Sequence, residues 1–178
     1  MLLSSSAANV QKYLDAVTAV GRTYGLELNL QKTLLLRIRG LDEVYGSDGE
    51  PLVVKEEAVY LGGLLSTQGN AVAEVTRHIG EATGGFHSLS AVWKHANIAK
   101  QRKYAICMSC LISKFLYGLE SLWLLQADLK RLDGFFARCL RKIAGILPSF
   151  YSRVSNERVL QKFDATPLSV MLKRRQVL

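Results

Sequence analysis

The chain has 178 residues, of which 49% are hydrophobic and 21% are charged, and its formal net charge is +8. This length corresponds to about one domain, and the apolar fraction excludes a disordered tail because it can supply a buried core. No window approaches the ~18 uninterrupted apolar residues of a membrane-spanning helix, and the N-terminal Met-Leu-Leu-Ser-Ser-Ser lacks the basic flank of a signal peptide. We therefore expect an intracellular protein, nuclear or cytoplasmic, with no membrane partner.

The charge is divided unevenly along the chain. Residues 1–93 contain 7 Lys/Arg and 10 Asp/Glu, for a net −3, whereas residues 94–178 contain 16 Lys/Arg and 5 Asp/Glu, for a net +11. A basic half of this kind is typical of a surface that lies against phosphates. An ordinary solvated surface with excess lysine has the same composition, so the charge alone leaves both interpretations open.

The three cysteines cannot form a closed set of disulfides. Cys107 and Cys110 form a C-x-x-C, but the residues around them have helical apolar spacing. A zinc site needs two more ligands, and the spacings of His78, His87 and His95 match no standard zinc module. We therefore predict small buried cysteines in preference to a metal or redox site, and we expect no metal ligands and no cofactor in this chain.

The first predicted element is an amphipathic helix over residues 6–24. Its apolar residues recur at spacings of three and four, which places them on one face. Serines precede the helix as N-cap candidates, and Gly25 follows it as a C-cap. The apolar face consists of Val10, Tyr13, Leu14, Val17 and Val20.

Short strands are predicted after this helix. Residues 32–39 alternate between two faces, which is typical of a half-buried strand. Residues 41–57 are acidic, contain a Ser-Asp-Gly turn and indicate an exposed loop or hairpin. Strand character returns over residues 58–65, interrupted by two glycines. The more apolar face of the first strand carries Leu34, Leu36 and Ile38, and the other face carries Leu35, Arg37 and Arg39.

From Gln68 onward the apolar period becomes helical. The first stripe steps by three or four from Val72 to Trp93 and contains the pair Gly84-Gly85, which weakens a helix by about 1 kcal/mol per glycine and can kink it. Further helices are predicted over residues 98–119 and 127–144, after Ser155, and from Thr166-Pro167, where Thr caps and Pro occupies the first turn. The aromatic residues on these stripes are predicted to be core and not base-stacking platforms: Phe86, Trp93, Phe115, Phe135 and Phe136.

This layout predicts an α+β fold in two parts. Residues 1–66 supply an N-terminal helix and small antiparallel strands with a hairpin. Residues 67–178 supply a mainly α-helical, basic bundle. Within the chain we find no internal repeat and no low-complexity segment.

Several strings, taken in order, point to a known family. Residues 25–33 read Gly-Leu-Glu-Leu-Asn-Leu-Gln-Lys-Thr, and Tyr60-Leu61-Gly62 follows. In this order they resemble motif D and motif E, the primer grip, of the reverse transcriptases of non-LTR (LINE-type) retrotransposons. The resemblance covers nearly the whole chain, since residues 1–24 are similar to the continuation of that family's catalytic Tyr-x-Asp-Asp strand. Strings that resemble its thumb region lie at residues 77–79, at Trp93 and at residues 116–120, 140–143 and 153–157.

The resemblance implies the C-terminal palm edge (residues 1–66) and the thumb region (residues 67–178) of an RNA-directed DNA polymerase. In the family, the aspartates that hold two metal ions lie upstream of the position of Met1. We therefore expect the chain alone not to transfer nucleotides, and we expect two Mg²⁺ ions only in a complete polymerase. Its residual role would be non-specific binding of a primer–template duplex, RNA–DNA or DNA, through the basic C-terminal half.

Three alternatives stay open. The chain restores polymerisation together with a separately supplied palm, or it is a non-catalytic helical protein-interaction module, or it is a non-functional relic of a decayed element. The apolar palm-edge surface would be exposed in the isolated chain, which predicts self-association. This surface consists of Leu34, Leu36, Ile38 and Leu61.

The resemblance also assigns roles in the N-terminal part. Lys32 takes the motif D role of protonating the leaving pyrophosphate, although in the isolated chain we favour a solvent-exposed lysine, with Asn29 capping a turn. Glycine in the primer grip lets the backbone approach a sugar-phosphate strand closely, but the same residues are typical of a tight hairpin bend. The primer-grip residues are Tyr60, Leu61, Gly62 and Gly63.

The candidates for contact with a duplex backbone are basic residues. Arg37 and Arg39 can reach a phosphate or blunt an edge strand. In the helical part, spacings of three and four place several cations on neighbouring helical positions, as a phosphate-binding surface requires. These helical candidates are Lys100, Arg102, Lys103, Lys114, Arg138, Arg141, Lys142 and Arg153.

Overall fold

A computed structural model describes residues 1–38, 40, 42–69 and 71–176. The chain divides into two compact units, Met1–Asn70 and Ala71–Leu178, called here the N-terminal unit and the helical unit. The sequence predicts this boundary after residue 66. The predicted α+β class with a mainly helical C-terminal part is confirmed.

The N-terminal unit begins with helix α1, Ala7–Thr23, as predicted. Gly25 follows it with a φ of 72°, in the left-handed region that glycine adopts at no steric cost. The Leu26 N–H donates to the Gly21 carbonyl at 2.9 Å, and the Gly25 N–H donates to the Arg22 carbonyl at 3.1 Å. This pair of hydrogen bonds is a Schellman motif, which satisfies carbonyls that the end of a helix leaves free.

Four short strands form two separate two-stranded sheets. β1 (Leu34–Leu36) pairs with β2 (Val53–Lys55), and β3 (Glu57–Tyr60) pairs with β4 (Gly63–Ser66). The antiparallel prediction is confirmed for β3 and β4 and is wrong for β1 and β2, which are parallel. A parallel pair needs a connection of about a dozen residues or more, and residues 37–52 supply it.

A small apolar core holds the N-terminal unit together. Leu35 packs against this core, whereas Leu34 and Ile38 are exposed, as expected for the palm-edge surface of the isolated chain. The acidic segment predicted as exposed also contributes two of the three buried side chains. The buried residues are Leu14, Val44 and Leu52.

The reason is a hairpin within the acidic segment, tied to α1. Tyr45 and Pro51 form an antiparallel bridge, and the Leu52 N–H donates to the Val44 carbonyl at 2.8 Å. The Gln11 side chain accepts from the Tyr45 N–H at 2.7 Å and donates to the Tyr45 carbonyl at 3.0 Å. These two bonds hold the hairpin on α1, which turns Val44 and Leu52 inward.

Most of the predicted apolar face of α1 is exposed in this chain. Leu14 is buried, but Tyr13, Val17 and Val20 are 57%, 54% and 59% exposed. Contiguous apolar surface of this kind favours contact with another apolar surface. Self-association through the N-terminal unit stays a prediction.

The helical unit consists of short and long helices around one core. The predicted helix over residues 98–119 is a run of α-helix, a π-helical turn and α-helix, and the predicted helix over 127–144 is confirmed as α6. The elements are α2 (Val72–Ser88), α3 (Ser90–Lys94), α4 (Lys100–Ile106), the π turn (Cys107–Ile112), α5 (Ser113–Leu116), α6 (Gln126–Ala144), α7 (Ser149–Ser152), α8 (Asn156–Gln161) and α9 (Leu168–Gln176).

Helix α6 lies at the centre of this unit. It contacts α2, α3, α4, α8 and α9, and its Leu132, Phe136 and Leu140 are completely buried. Burial of each such side chain contributes about 1.5–3 kcal/mol. The five aromatic residues predicted as core are all less than a tenth exposed, which confirms that prediction.

The cap of α9 comes from α6. The Asp133 carboxylate accepts from the Ser169 N–H at 2.9 Å and from the Ser169 hydroxyl at 2.6 Å. The sequence predicts Thr166 in this role, because a side chain close in the chain is the usual cap. Here the tertiary packing of α6 against α9 supplies the acceptor.

Helix α2 continues through Gly84-Gly85 to Ser88, and the two glycines have different surroundings. A Cβ built on Gly85 would lie 3.1 Å from Leu111 Cδ1, in the π turn, whereas a Cβ on Gly84 meets nothing within 4 Å. Gly85 therefore permits a close approach of two helices, while Gly84 only weakens α2.

We expect Gly84→Ala to raise the free energy of unfolding by about 0.5–1 kcal/mol, because alanine is the better helix former. Gly85→Ala should gain less or lose stability, because its Cβ would press on the buried Leu111. Urea unfolding followed by circular dichroism measures both, each variant serving as the control for the other. An equal increase in the free energy of unfolding for the two variants would contradict a close approach of α2 and the π turn at Gly85.

Candidate nucleic-acid interface

The helical unit carries a large excess of positive charge at its surface. It contains 17 Lys/Arg and 7 Asp/Glu, for a net +10. Several of its carboxylates are held by intramolecular partners, which removes them as neighbours for external ligands. Examples are Glu74 and Glu81, held by Arg77, Asp128, held by Arg131, and Asp133, held by Ser169.

The exposed face of α6 carries a row of cations, Arg131, Arg138 and Lys142, called here the basic stripe. They are seven and four residues apart, which places them on one face over about 16 Å of helix. Between them lies Gly134, and a Cβ there would be 3.8 Å from the Arg138 guanidinium. The stripe thus has two cations one turn apart, Arg138 and Lys142, and a third, Arg131, two turns before them, which also pairs with Asp128.

Helix α2 flanks this stripe. Arg131 donates to the Thr76 hydroxyl at 2.8 Å, and the Lys142 ammonium lies 5.9 Å from the centroid of the Phe86 ring. The two contacts show that α2 and α6 run side by side in the same direction. On α2, the exposed residues after Thr76 include Gly80, Glu81, Thr83 and His87.

Two predicted phosphate contacts are wrong. Lys103 is 7% exposed and its ammonium donates to the Trp93 carbonyl at 2.8 Å. Arg141 is 5% exposed. Each lies three residues after an exposed cation, Lys100 or Arg138, and three residues turn a helix by 300°, which is enough to move a side chain from solvent into the neighbouring packing.

Arg141 instead organises the segment that follows α6. Its guanidinium donates to the Val154 carbonyl at 2.7 Å and to Asn156 Oδ1 at 2.9 Å. Longer contacts reach the Leu147 carbonyl at 3.4 Å and the Ser152 hydroxyl at 3.5 Å. Among the described residues no carboxylate lies within 4 Å of it. A buried charge thus depends on neutral acceptors from residues 147–156.

Lys100 and Lys114 are exposed, as predicted, but belong to the run from α4 to α5 and not to the stripe. Lys114 lines a shallow groove of about 230 Å³ between that run and α2, together with Glu81 and Cys110. The structure therefore brings Arg138 and Lys142 together. It leaves four exposed candidates elsewhere: Lys100, Arg102 and Lys114 on the run from α4 to α5, and Arg153 at the end of α7.

A buried cluster that the sequence analysis missed lies at one end of this groove. Glu74 and His78 are 3% and 6% exposed, His78 Nε2 lies 3.0 Å from Glu74 Oε1, and His78 Nδ1 lies 2.8 Å from the Phe115 carbonyl. Hydrogen bonding to Glu74 raises the pKa of Arg77. The spacing Glu-x-x-Arg-His on an amphipathic stripe is the signal that would have found it. The cluster joins α2 to α5.

In the N-terminal unit, Lys32 is exposed at the end of a 3₁₀ turn, Leu30–Lys32. The Asn29 side chain accepts from the Lys32 N–H at 3.1 Å, and the Thr33 hydroxyl donates to the Asn29 carbonyl at 2.9 Å. The predicted capping role of Asn29 is confirmed. The general-acid role of Lys32 stays a prediction.

The primer-grip candidates form the tight turn between β3 and β4. Leu61 and Gly62 both have positive φ, 51° and 85°, as in the two-residue turns that suit a twisted hairpin. Tyr60 and Gly63 are the last pair of the ladder. Leu61, at the tip, is 77% exposed. The hairpin alternative is therefore confirmed, and contact with a primer strand stays a prediction.

The structure describes only one of the two arginines predicted on the first strand. Arg37 is half-buried, and its buried Nε makes no hydrogen bond within the part of the chain that the structure describes. Arg39 lies outside the described residues.

The cysteines behave as small buried residues at two of three positions. Cys107 and Cys139 are buried, and burial raises the pKa of each thiol to about 12, whereas Cys110 is exposed. Because the raised pKa keeps these thiols neutral in the fold, their contribution to stability is lost as the pH rises from about 9 toward 12. Over residues 1–38, 40, 42–69 and 71–176, no three His, Cys, Asp or Glu side chains are grouped to hold a metal ion.

Comparison of the chain with known protein families, with curated proteins and with solved structures found no match. Among the described helices, none combines the length and the apolar character needed to cross a membrane.

We expect Arg141→Lys to lower the free energy of unfolding by about 2 kcal/mol or more, because a buried ammonium cannot reach all the oxygen acceptors that the planar guanidinium serves. Arg138→Lys, three residues away and exposed, is the matched control and should change it by less than about 0.5 kcal/mol. Chemical unfolding of both variants tests this. Equal effects would contradict a structural role for Arg141.

We expect iodoacetamide at pH 8 to alkylate one thiol of the folded protein, Cys110, since the buried thiols are neutral and inaccessible. Mass spectrometry of the labelled protein counts the adducts, and labelling in denaturant, which should give three, is the control. Rapid labelling of Cys107 or Cys139 in the folded protein would contradict the burial.

Proposed function

We propose that the helical unit binds a nucleic-acid duplex without sequence preference, through phosphate contacts of the basic stripe. The observation that carries this proposal is the row of exposed cations on one face of α6, in which Arg138 and Lys142 are one turn apart and Arg131 also pairs with Asp128 at 3.6 Å. Of the nearby carboxylates, Asp128 pairs with Arg131 and Asp133 accepts from Ser169. Binding of this kind is the role that the resemblance to non-LTR reverse transcriptases implies for the thumb region.

Electrostatics supports the proposal physically. A cation that neutralises a phosphate releases condensed counterions, and this release supplies most of the free energy of non-specific binding. The basic stripe spans about 16 Å, which is long enough to meet several phosphates of one strand. Contacts to phosphates position a protein but carry no sequence information.

The proposal assigns binding, and no chemical step, to this chain. A general-acid role of Lys32 would need a departing pyrophosphate next to it, which the rest of a polymerase would supply together with its metal ions. The duplex that the resemblance favours is RNA–DNA, as formed by a template and its nascent strand.

The test is a salt titration of binding to a labelled RNA–DNA duplex, with Arg138→Glu/Lys142→Glu against the wild type. We expect the variant to lose at least tenfold in affinity near 50 mM salt. The slope of log affinity against log salt should fall by about 2, one unit for each lost phosphate contact. Fluorescence anisotropy measures both.

The matched control is Lys12→Glu/Arg22→Glu, which makes the same change in net charge at exposed positions of α1. It should bind the duplex with nearly the affinity of the wild type, since only a small long-range electrostatic effect of the changed charge is expected. Absence of duplex binding at low salt, or equal losses in the two double variants, would overturn the proposal.

A further inference from the structure

Two exposed aromatic side chains follow α6 in a segment that does not need them for folding. Phe150 and Tyr151, on α7, are 79% and 71% exposed. Their rings lie edge to face with centroids 5.3 Å apart. Leu147, just before them, is 64% exposed. Residues 147–153 are called here the aromatic loop.

Polar contacts, and not packing of these rings, hold the aromatic loop. The buried Arg141 donates to acceptors at both ends of it, including the Leu147 carbonyl and the Ser152 hydroxyl. The Pro148 carbonyl accepts from the N–H groups of Tyr151 and Ser152 at 3.0 Å each. The loop therefore has a defined shape while its two rings stay in solvent, a costly arrangement for which folding gives no reason.

The stretch of sequence that carries the two rings is positively charged, although one of its cations, Arg141, is buried. Residues 138–153 contain Arg138, Arg141, Lys142 and Arg153 and no Asp or Glu. Lys142 belongs to the last turn of α6, three residues before Gly145, where the helix ends with a φ of 71°. The aromatic loop thus begins where the basic stripe ends.

Flat rings beside cations suit one class of ligand. A single-stranded nucleic acid offers phosphates to the cations and unpaired base faces to the rings, and base–aromatic stacking is tolerant of sequence. Inside a duplex the base faces are already stacked on one another, so an intact duplex gains nothing from these rings.

We propose that two side chains of the aromatic loop, Phe150 and Tyr151, stack on the bases of unpaired nucleotides while Arg153 and Lys142 contact the adjoining phosphates. Leu147 lies outside this site. The inference rests on the proposed function only for the nature of the polymer. It assigns the rings to single-stranded segments and leaves the duplex to the basic stripe.

The experiment uses three probes of about 16 nucleotides each: a thymidine strand, the same strand with abasic sites, and a blunt RNA–DNA duplex. The variant Phe150→Leu/Tyr151→Leu keeps apolar side chains but removes the flat rings, and Leu147→Ala is the matched control for loss of apolar area. Both changes are at exposed positions, so the fold should be kept, and circular dichroism verifies this.

We expect the double leucine variant to bind the thymidine strand at least tenfold more weakly than the wild type and to bind the duplex equally well. The wild type should bind the abasic strand as weakly as the double leucine variant binds the thymidine strand. Leu147→Ala should bind all three probes like the wild type.

The inference is overturned if the double leucine variant binds the thymidine strand as tightly as the wild type, or if abasic and thymidine strands bind equally. Binding of anionic phosphatidylserine vesicles that is lost in Leu147→Ala and kept in the leucine variant would identify a membrane contact instead. If the wild type binds the thymidine strand but not the duplex, the proposed function is wrong and this inference is still supported.

Discussion

The buried guanidinium of Arg141 is the interaction on which the surface of the helical unit depends. It sits on the central helix without a carboxylate partner in the described part of the chain, and it is satisfied by carbonyl, amide and hydroxyl oxygens of the segment that follows. A buried charge is tolerated only when its hydrogen bonds are made. The same contacts that stabilise it therefore fix the path of the chain from α6 to α8.

Much of the fold follows from local patterns. The period of three and four residues predicts α1 and α6, Gly25 predicts the end of α1, and Asn29 predicts a capped turn, because each of these depends on neighbours close in the chain. The parallel pairing of β1 with β2 does not follow, since it depends on the hairpin that Gln11 holds against α1.

The candidate interface is predicted less completely, because it depends on how many sides of a helix are covered. The sequence places Arg138, Arg141 and Lys142 together, but the packing of α8 and α9 against α6 separates Arg141 from the other two. The exposure of Phe150 and Tyr151 has no periodic signal either, since α7 is a single turn whose position is set by contacts with Arg141. Tertiary packing decides which faces of a helix are buried, and the spacing of residues along the sequence does not show it.

The small core of the N-terminal unit has a consequence for its dynamics. Within the described residues, only Leu14, Val44 and Leu52 are buried there, and a unit of about 70 residues with so little burial has a small free energy of opening. Its backbone amides should therefore exchange with deuterium by a cooperative opening of the whole unit, on a shorter timescale than the amides of α6. The hairpin on Gln11 and the strands it aligns would gain and lose protection together.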